Sequence, residues 1–337
     1  MTNQFIEAGR AQSIAVQLEP ARRQFDPRVL PLLRASVDRI QPDIIQTHVV
    51  KGRFLLRVSP LGNGCPWIAL HHGYTTEDKK VRLYNRLNRW SLPAAERVLT
   101  FCNPFARSLE QSGVRPDRTR MLPNSIAPSP YATPDEVLES SKRLSIHSQD
   151  RVVLAVGRAS SERDHADLLH ATAQVVHELP GLPIRLVLLG DGVERDPMEQ
   201  LVSSLRIRER VIFAGHHPDT RPFFARADVF VLPSLSEGSP NVLLEAMEAG
   251  LPLVSTAVGG VQETVVDEES ALLVQPRDPQ VLGTALRRIL SDGPLAVRLA
   301  KAAYAKVQEH FRPDHYRKAL LDTYSDLYAE VTAEKGA

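Results

Sequence analysis

Between Asp228 and Thr256 the chain reads DVFVLPS, then LSEGSPNVLLEAMEAGL, then PLVST. Two short valine-rich runs bracket a segment that carries its own helix signals. Ser239 is a favourable N-cap residue. Pro240 suits the first helical turn, where its missing N–H has no helical partner, and Gly250 followed by Pro252 ends the pattern. A helix over Pro240–Ala249 between two strands is therefore expected. Strand, loop, helix and strand within so few residues make a crossover between parallel neighbours, and a parallel sheet is covered by helices on both faces. This unit restricts the fold more than any other feature of the chain.

The same alternation recurs elsewhere. Strand-like runs occur at Val152–Gly157, Arg185–Gly192, Val211–Gly215 and Ala271–Pro276. Earlier in the chain they occur at Ser13–Leu18, Asp43–His48, Trp67–His72, Arg97–Cys102 and Thr119–Asn124. Proline-rich APSPYATP and the polar run after it separate the two series. Two doubly wound α/β domains follow, over 1–130 and 151–311, with 131–150 as a linker. Residues 312–337 read as a terminal helix that returns to the first domain. Its Tyr316, Leu320, Tyr324 and Leu327 fall at helical spacing and predict a packing stripe.

Composition removes several classes of function. Lys plus Arg number 41 against 40 Asp plus Glu, so a net charge of +1 provides no general attraction to nucleic acid. Cys65 and Cys102 lack metal-ligand spacing and cannot form a disulfide framework. No apolar run approaches the roughly 20 residues of a membrane span, and MTNQFIEAGR does not read as a signal peptide. A cytoplasmic protein is expected, soluble or at the inner face of the membrane. The membrane contact would come from KKVRLYNRLNRW, which sets Lys79, Arg82, Arg86 and Arg89 on one helical face beside a stripe of Leu83, Leu87 and Trp90. The competing reading is an ordinary helix with that stripe in the core.

Ligands of parallel sheets bind beyond the carboxyl ends of the strands, where helix N-termini attract anions. Glu237 lies on such a loop, with Glu245 two turns inside the following helix. A carboxylate there would repel phosphate, so Glu237 suits a neutral hydroxylated part of a ligand and Glu245 a hydroxyl pair such as a ribose. The alternative is a helix-dipole contact worth roughly 0.3–1 kcal/mol and a solvated Glu245. The loop VGRASSERDH adds Arg158 and Arg163 at the same predicted sheet edge, two guanidinium groups suited to a diphosphate.

From about Arg151 to Pro276 these motifs, with FAGHHPD and ADVFVLPSLSEGSPNVLLEAMEAGLPLVSTAVGGVQETV, resemble the retaining glycosyltransferases of family four, which have the GT-B fold of two Rossmann-like domains facing a cleft. The resemblance implies that Glu237 contacts the transferred sugar, Glu245 the ribose and Arg158 the diphosphate. Arg163 stands where that family usually has lysine. Gly238, Ser239, Pro240 and Asn241 would meet sugar and phosphate oxygens. In the first half, PDIIQTH, PWIALHHGY and PNSI are similar to the family more loosely, and His72, rather than His71, matches its active-site histidine.

What the resemblance implies is transfer of a sugar from a nucleoside diphosphate sugar to a hydroxyl of a glycan or lipid-linked acceptor, with retention and without cofactor or metal, in cell-surface polysaccharide or glycolipid synthesis. The absence of an Asp-x-Asp triplet agrees with metal-independent chemistry. Family members usually carry roughly 50 further residues at the start, a strand and a glycine-rich loop. The first domain is thus expected to lack them, through a misassigned start or a truncation, and the alternative function is a nucleotide-sugar-binding protein with weak or no catalysis. An NAD enzyme is disfavoured because no G-x-G-x-x-G occurs.

Overall fold

The computed structural model describes residues 7, 11–17, 26, 28–59, 65–73, 79–129 and 131–336. Two parallel sheets form the frame. The first runs β1 (Ile45–Thr47), β2 (Trp67–His71), β3 (Arg97–Thr100), β4 (Thr119–Met121) in that order. Ile14–Gln17, expected within a first strand, are not in a strand, and Leu18 lies outside the described residues.

The second sheet has six strands in the order β10-β9-β8-β5-β6-β7. These are β5 (Arg151–Val156), β6 (Ile184–Leu189), β7 (Val211–Gly215), β8 (Val229–Leu232), β9 (Leu253–Thr256) and β10 (Leu272–Val274). Central β8, VFVL, is buried at every position, as a strand covered on both faces requires. One face packs through Val153, Val229 and Val231 against the helices around Leu168 and Leu286. The other packs through Leu154 and Phe230 against Leu243, Leu244 and Met247.

The stretch expected as a linker contains the helix Pro134–Arg143. Thr133 and Glu136 close a reciprocal capping box at its start, and its flank rests on the helix Arg221–Arg226. The S/T-x-x-E signal was present in the sequence, and the neighbouring prolines obscured it. The chain passes between domains twice. At these passages Ile126 N–H donates to Phe311 O at 2.8 Å, and Arg312 reaches both Ile126 O, at 3.3 Å, and Glu248, at 2.8 Å. The terminal helix Pro313–Gly336 then packs on the first sheet, with Leu327 against Ile68, Leu70, Leu99 and Phe101.

Candidate functional site

Strand order places the site. β6 and β7 extend from β5 on one side and β8 to β10 on the other, so the loops after β5 and β8 diverge and leave a crevice between them. Arg163, after β5, forms an ion pair with Glu237, after β8. Ser234 Oγ donates to the same carboxylate at 2.7 Å, and Arg163 Nη1 also donates to Ser234 Oγ at 3.3 Å. Glu237 is 8% exposed. Burial pushes its pKa up, and Arg163 and Ser234 oppose that rise.

Arg163 was expected beside Arg158 as a second phosphate cation, but its guanidinium is engaged by Glu237. The 74-residue separation of the pair hid this contact from the sequence. Arg158 remains exposed on the cavity wall. Close backbone approach forms the floor: Gly190, at φ +124°, has no room for a Cβ, which would lie 2.0 Å from Gly157 O.

The helix after β8 begins at Asn241. Pro240 occupies the N-cap position, and no side chain caps the first turn. Ser239, the expected cap, is turned the other way. Its hydroxyl accepts the Asn124 N–H at 3.1 Å and its carbonyl accepts Asn124 Nδ2 at 2.6 Å. Asn241 and Val242 line the cavity, and no side chain caps the partial positive charge of this first turn. Glu245, one face further along, also lines it, and burial alone raises its pKa.

The cavity measures about 870 Å³ and takes walls from both domains, with Gly238, Ser239 and Pro240 on one side and His72, Phe101 and Asn124 on the other. β2 is buried at every position and ends at His71, so the two adjacent histidines part where the chain leaves the sheet. His71 is fully buried near Asn88, and burial pushes its pKa down to about 3. His72 is exposed to the cleft, with its ring 5.0 Å from that of Phe101. Partial burial of the ring, then the charge of Arg53, lowers its pKa and favours the neutral imidazole.

Asn124, His216, Pro218 and Thr220 also line the cavity without having been predicted as site residues. Asn124 lies in PNSI and His216 and Pro218 in FAGHHPD, with Thr220 just after it; the motifs were visible, but neither spacing nor charge assigned these residues a task. Among the described residues, no group of three or more His, Cys, Asp and Glu could hold a metal ion.

Next to Arg163, Asp164 takes a left-handed conformation, φ 46°, as the helix His165–Glu178 begins. Burial, then the neighbouring Asp167, pushes its pKa from 3.8 up to about 6. The folded chain therefore holds a proton that the unfolded chain has released, and stability falls as pH rises from about 4 to about 6. Asn tolerates the left-handed region and cannot ionise. Asp164→Asn is expected to raise stability at pH 7.5 by about 1 kcal/mol, after discounting for solvent screening, and to change little at pH 4. Urea midpoints at the two pH values measure this.

Residues 137–306 match the family described as Glycosyl transferases group 1, and residues 4–125 match the Glycosyl transferase 4-like domain. The chain is similar to the lipopolysaccharide core biosynthesis glycosyltransferase LpsE of Rhizobium meliloti, 38% identical over 53% of this chain and 49% of that protein. It is also similar to the D-inositol 3-phosphate glycosyltransferase of Acidothermus cellulolyticus, 32% identical over 70% of this chain and 54% of that one. The chain thus spans about half the length of these curated relatives. In fold it is similar to Anabaena HepE crystallised with UDP, at a TM-score of 0.82 and 20% identity over 96% of this chain and 89% of that one. A second fold neighbour is WaaG, a glycosyltransferase involved in lipopolysaccharide biosynthesis, with TM-score 0.72, 18% identity and coverage of 90% and 85%. These neighbours are GT-B glycosyltransferases, and the two parallel-sheet domains share that fold.

Proposed function

This chain belongs to the group 1 glycosyltransferases, and from that premise we propose that it transfers a sugar from a nucleoside diphosphate sugar to an acceptor hydroxyl with retention of configuration. The observation that carries this reading is the crevice between β5 and β8, where a buried, ion-paired Glu237 lies beside an uncapped helix start, with Arg158 exposed on one wall and Glu245 on another. A volume near 870 Å³ suits a ligand of that size. UDP bound in the fold neighbour HepE favours a uridine nucleotide, and the name of the relative LpsE favours a glycan or lipid-linked acceptor in cell-surface polysaccharide or glycolipid synthesis.

In this mechanism the diphosphate rests against Arg158 and the N–H groups at Asn241 and Val242. Negative charge grows on the leaving diphosphate, and these fixed positive ends stabilise it without reorganising. They supply that stabilisation without a metal. Glu237, held by Arg163 and Ser234, accepts hydrogen bonds from the sugar, and neutral His72 offers a further contact across the cleft. The acceptor hydroxyl attacks from the face the diphosphate leaves, and a β-phosphate oxygen takes its proton. Glu237 is spoken for by two hydrogen-bond donors, which disfavours it as a covalent nucleophile.

The test is calorimetric binding of UDP, GDP and ADP, followed by assay of donor hydrolysis and transfer with the corresponding glucose donors. Failure to bind any of the three overturns the reading. Binding without turnover supports a nucleotide-sugar-binding protein instead. Glu245→Ala is expected to weaken nucleoside diphosphate affinity by about 1.5–3 kcal/mol, the range for a hydrogen bond to a charged group. Because burial raises its pKa, wild-type affinity should fall on acidification at a pH above the usual carboxylate range.

A further inference from the structure

The loop after β9, AVGGVQE, touches both sides of the cleft. On its own side, Gly260 N–H donates to Glu237 O at 3.2 Å, so the loop is bonded to the segment that carries the sugar-side carboxylate. Across the cleft, Glu263 Oε1 accepts the N–H of Asn103 at 2.9 Å. Asn103 opens the helix Asn103–Gln111 of the first domain, whose N-cap residue, Cys102, makes no side-chain cap bond. A carboxylate from one domain thus supplies the cap that a helix of the other lacks.

The contact lies on a seam. The ring of Phe105, two residues into the same helix, sits where a Cβ on Gly238 would come within 2.7 Å of it. A Cβ on Gly260 would lie 2.8 Å from Cys102 Cβ. Glycine at 238 and 260 therefore allows the first domain to seat directly on the backbone of the Glu237 loop, beside the Asn124–Ser239 bonds.

We propose that Glu263 is a positioning residue: an interdomain helix cap that holds the cleft closed and thereby fixes the loop carrying Glu237. The proposal rests on the reading of that loop as the sugar side of a donor site. Separating the domains returns both the carboxylate and the Asn103 N–H to water, where each is hydrated, so the bond favours closure without preventing reopening. Nucleotide contacts from Arg158, Asn241 and Glu245 belong to the second domain alone and do not depend on it.

Glu263 is exposed, so its truncation leaves the folded core intact. The experiment compares wild type, Glu263→Ala and Glu263→Gln in three measurements: affinity for the best-bound of UDP, GDP and ADP, compaction on adding that nucleotide by small-angle X-ray scattering, and turnover of the matching glucose donor. Glu263→Ala is expected to keep affinity within about twofold, to lose the compaction, and to lower kcat/KM about tenfold, the scale of a lost N-cap. Glu263→Gln keeps an acceptor oxygen and should recover most of the loss. If wild type binds a nucleotide while Glu263→Ala compacts and turns over equally well, the latch is overturned alone. If wild type binds none of the three, the donor reading falls and the latch with it.

Discussion

Glu237→Gln is expected to lower sugar transfer by about 10²–10³-fold, the cost of removing one preorganised electrostatic contact from a transition state, with nucleotide affinity changed by less than about threefold. Gln retains the outline of the side chain and one oxygen able to accept from Arg163 or Ser234. It loses the charge that balances Arg163 and that faces the sugar as its bond to the diphosphate stretches. On the proposed reading the nucleotide lies further along, against Arg158 and Glu245, so its binding should barely change. Steady-state kinetics and calorimetry on the same preparation separate the two effects. Equal losses in both, or in neither, would return Glu237 to a structural ion pair with Arg163. The acid limb of the wild-type rate profile should lie above the usual carboxylate range, because burial raises the Glu237 pKa.

The second sheet was legible because parallel strands must be apolar on both faces. Runs such as VFVL and VVLAV can hardly be read otherwise, and their loops fall on one edge by construction. From the sequence, Arg158, Arg163, Glu237 and Glu245 are therefore expected at the same edge of one sheet. The partners within the crevice were not legible. Whether Arg163 meets a phosphate or Glu237 depends on the order of β5 and β8 in the sheet, which spacing along the chain does not encode. Ser239 failed as a predicted cap for a similar reason. Its hydroxyl is claimed by Asn124, 115 residues away in the other domain, and a local signal cannot anticipate a distant competitor.

The first domain was harder to read. β1 and β4 have three residues each, too few to show a period, and the strand expected at Ser13 is absent from Ile14–Gln17. Residue type alone did not separate His71 from His72: the resemblance chose His72, and the structure buries His71 at the strand end while His72, just beyond it, is exposed.

Changing Lys79, Arg82, Arg86 and Arg89 together to Gln is expected to abolish sedimentation with anionic vesicles at low salt, on the proposal that this helix rests on a membrane. Juxtamembrane basic residues contribute about 1 kcal/mol each near an anionic surface, so four account for roughly a thousandfold in partitioning. The helix Lys79–Ser91 gives the idea a specific shape. The side chain of Lys79 lies outside the described residues, but Arg82, Arg86 and Arg89 are exposed. Two of the three stripe residues lie outside the core, Leu83 at 55% and Trp90 at 50% exposed, and Leu87 is half-buried, while Asn88 and Ser91 take the buried positions. Trp90 nonetheless has a set orientation, its ring 6.1 Å from that of Phe54, with the Arg57 guanidinium 5.3 Å from its centre. An amphipathic ring held at the boundary between charge and solvent is the arrangement an interfacial helix uses. Among the described residues no helix is long and apolar enough to cross a membrane, so contact through this helix would have to be peripheral. Binding should weaken steeply between low and physiological salt, as an interaction screened over a Debye length must. Trp90→Ala should then cost a further, salt-independent part of the affinity. Vesicle binding that survives the four Gln substitutions, or that never appears with the wild type, would remove this helix from any role at a membrane and leave the acceptor to be sought in solution.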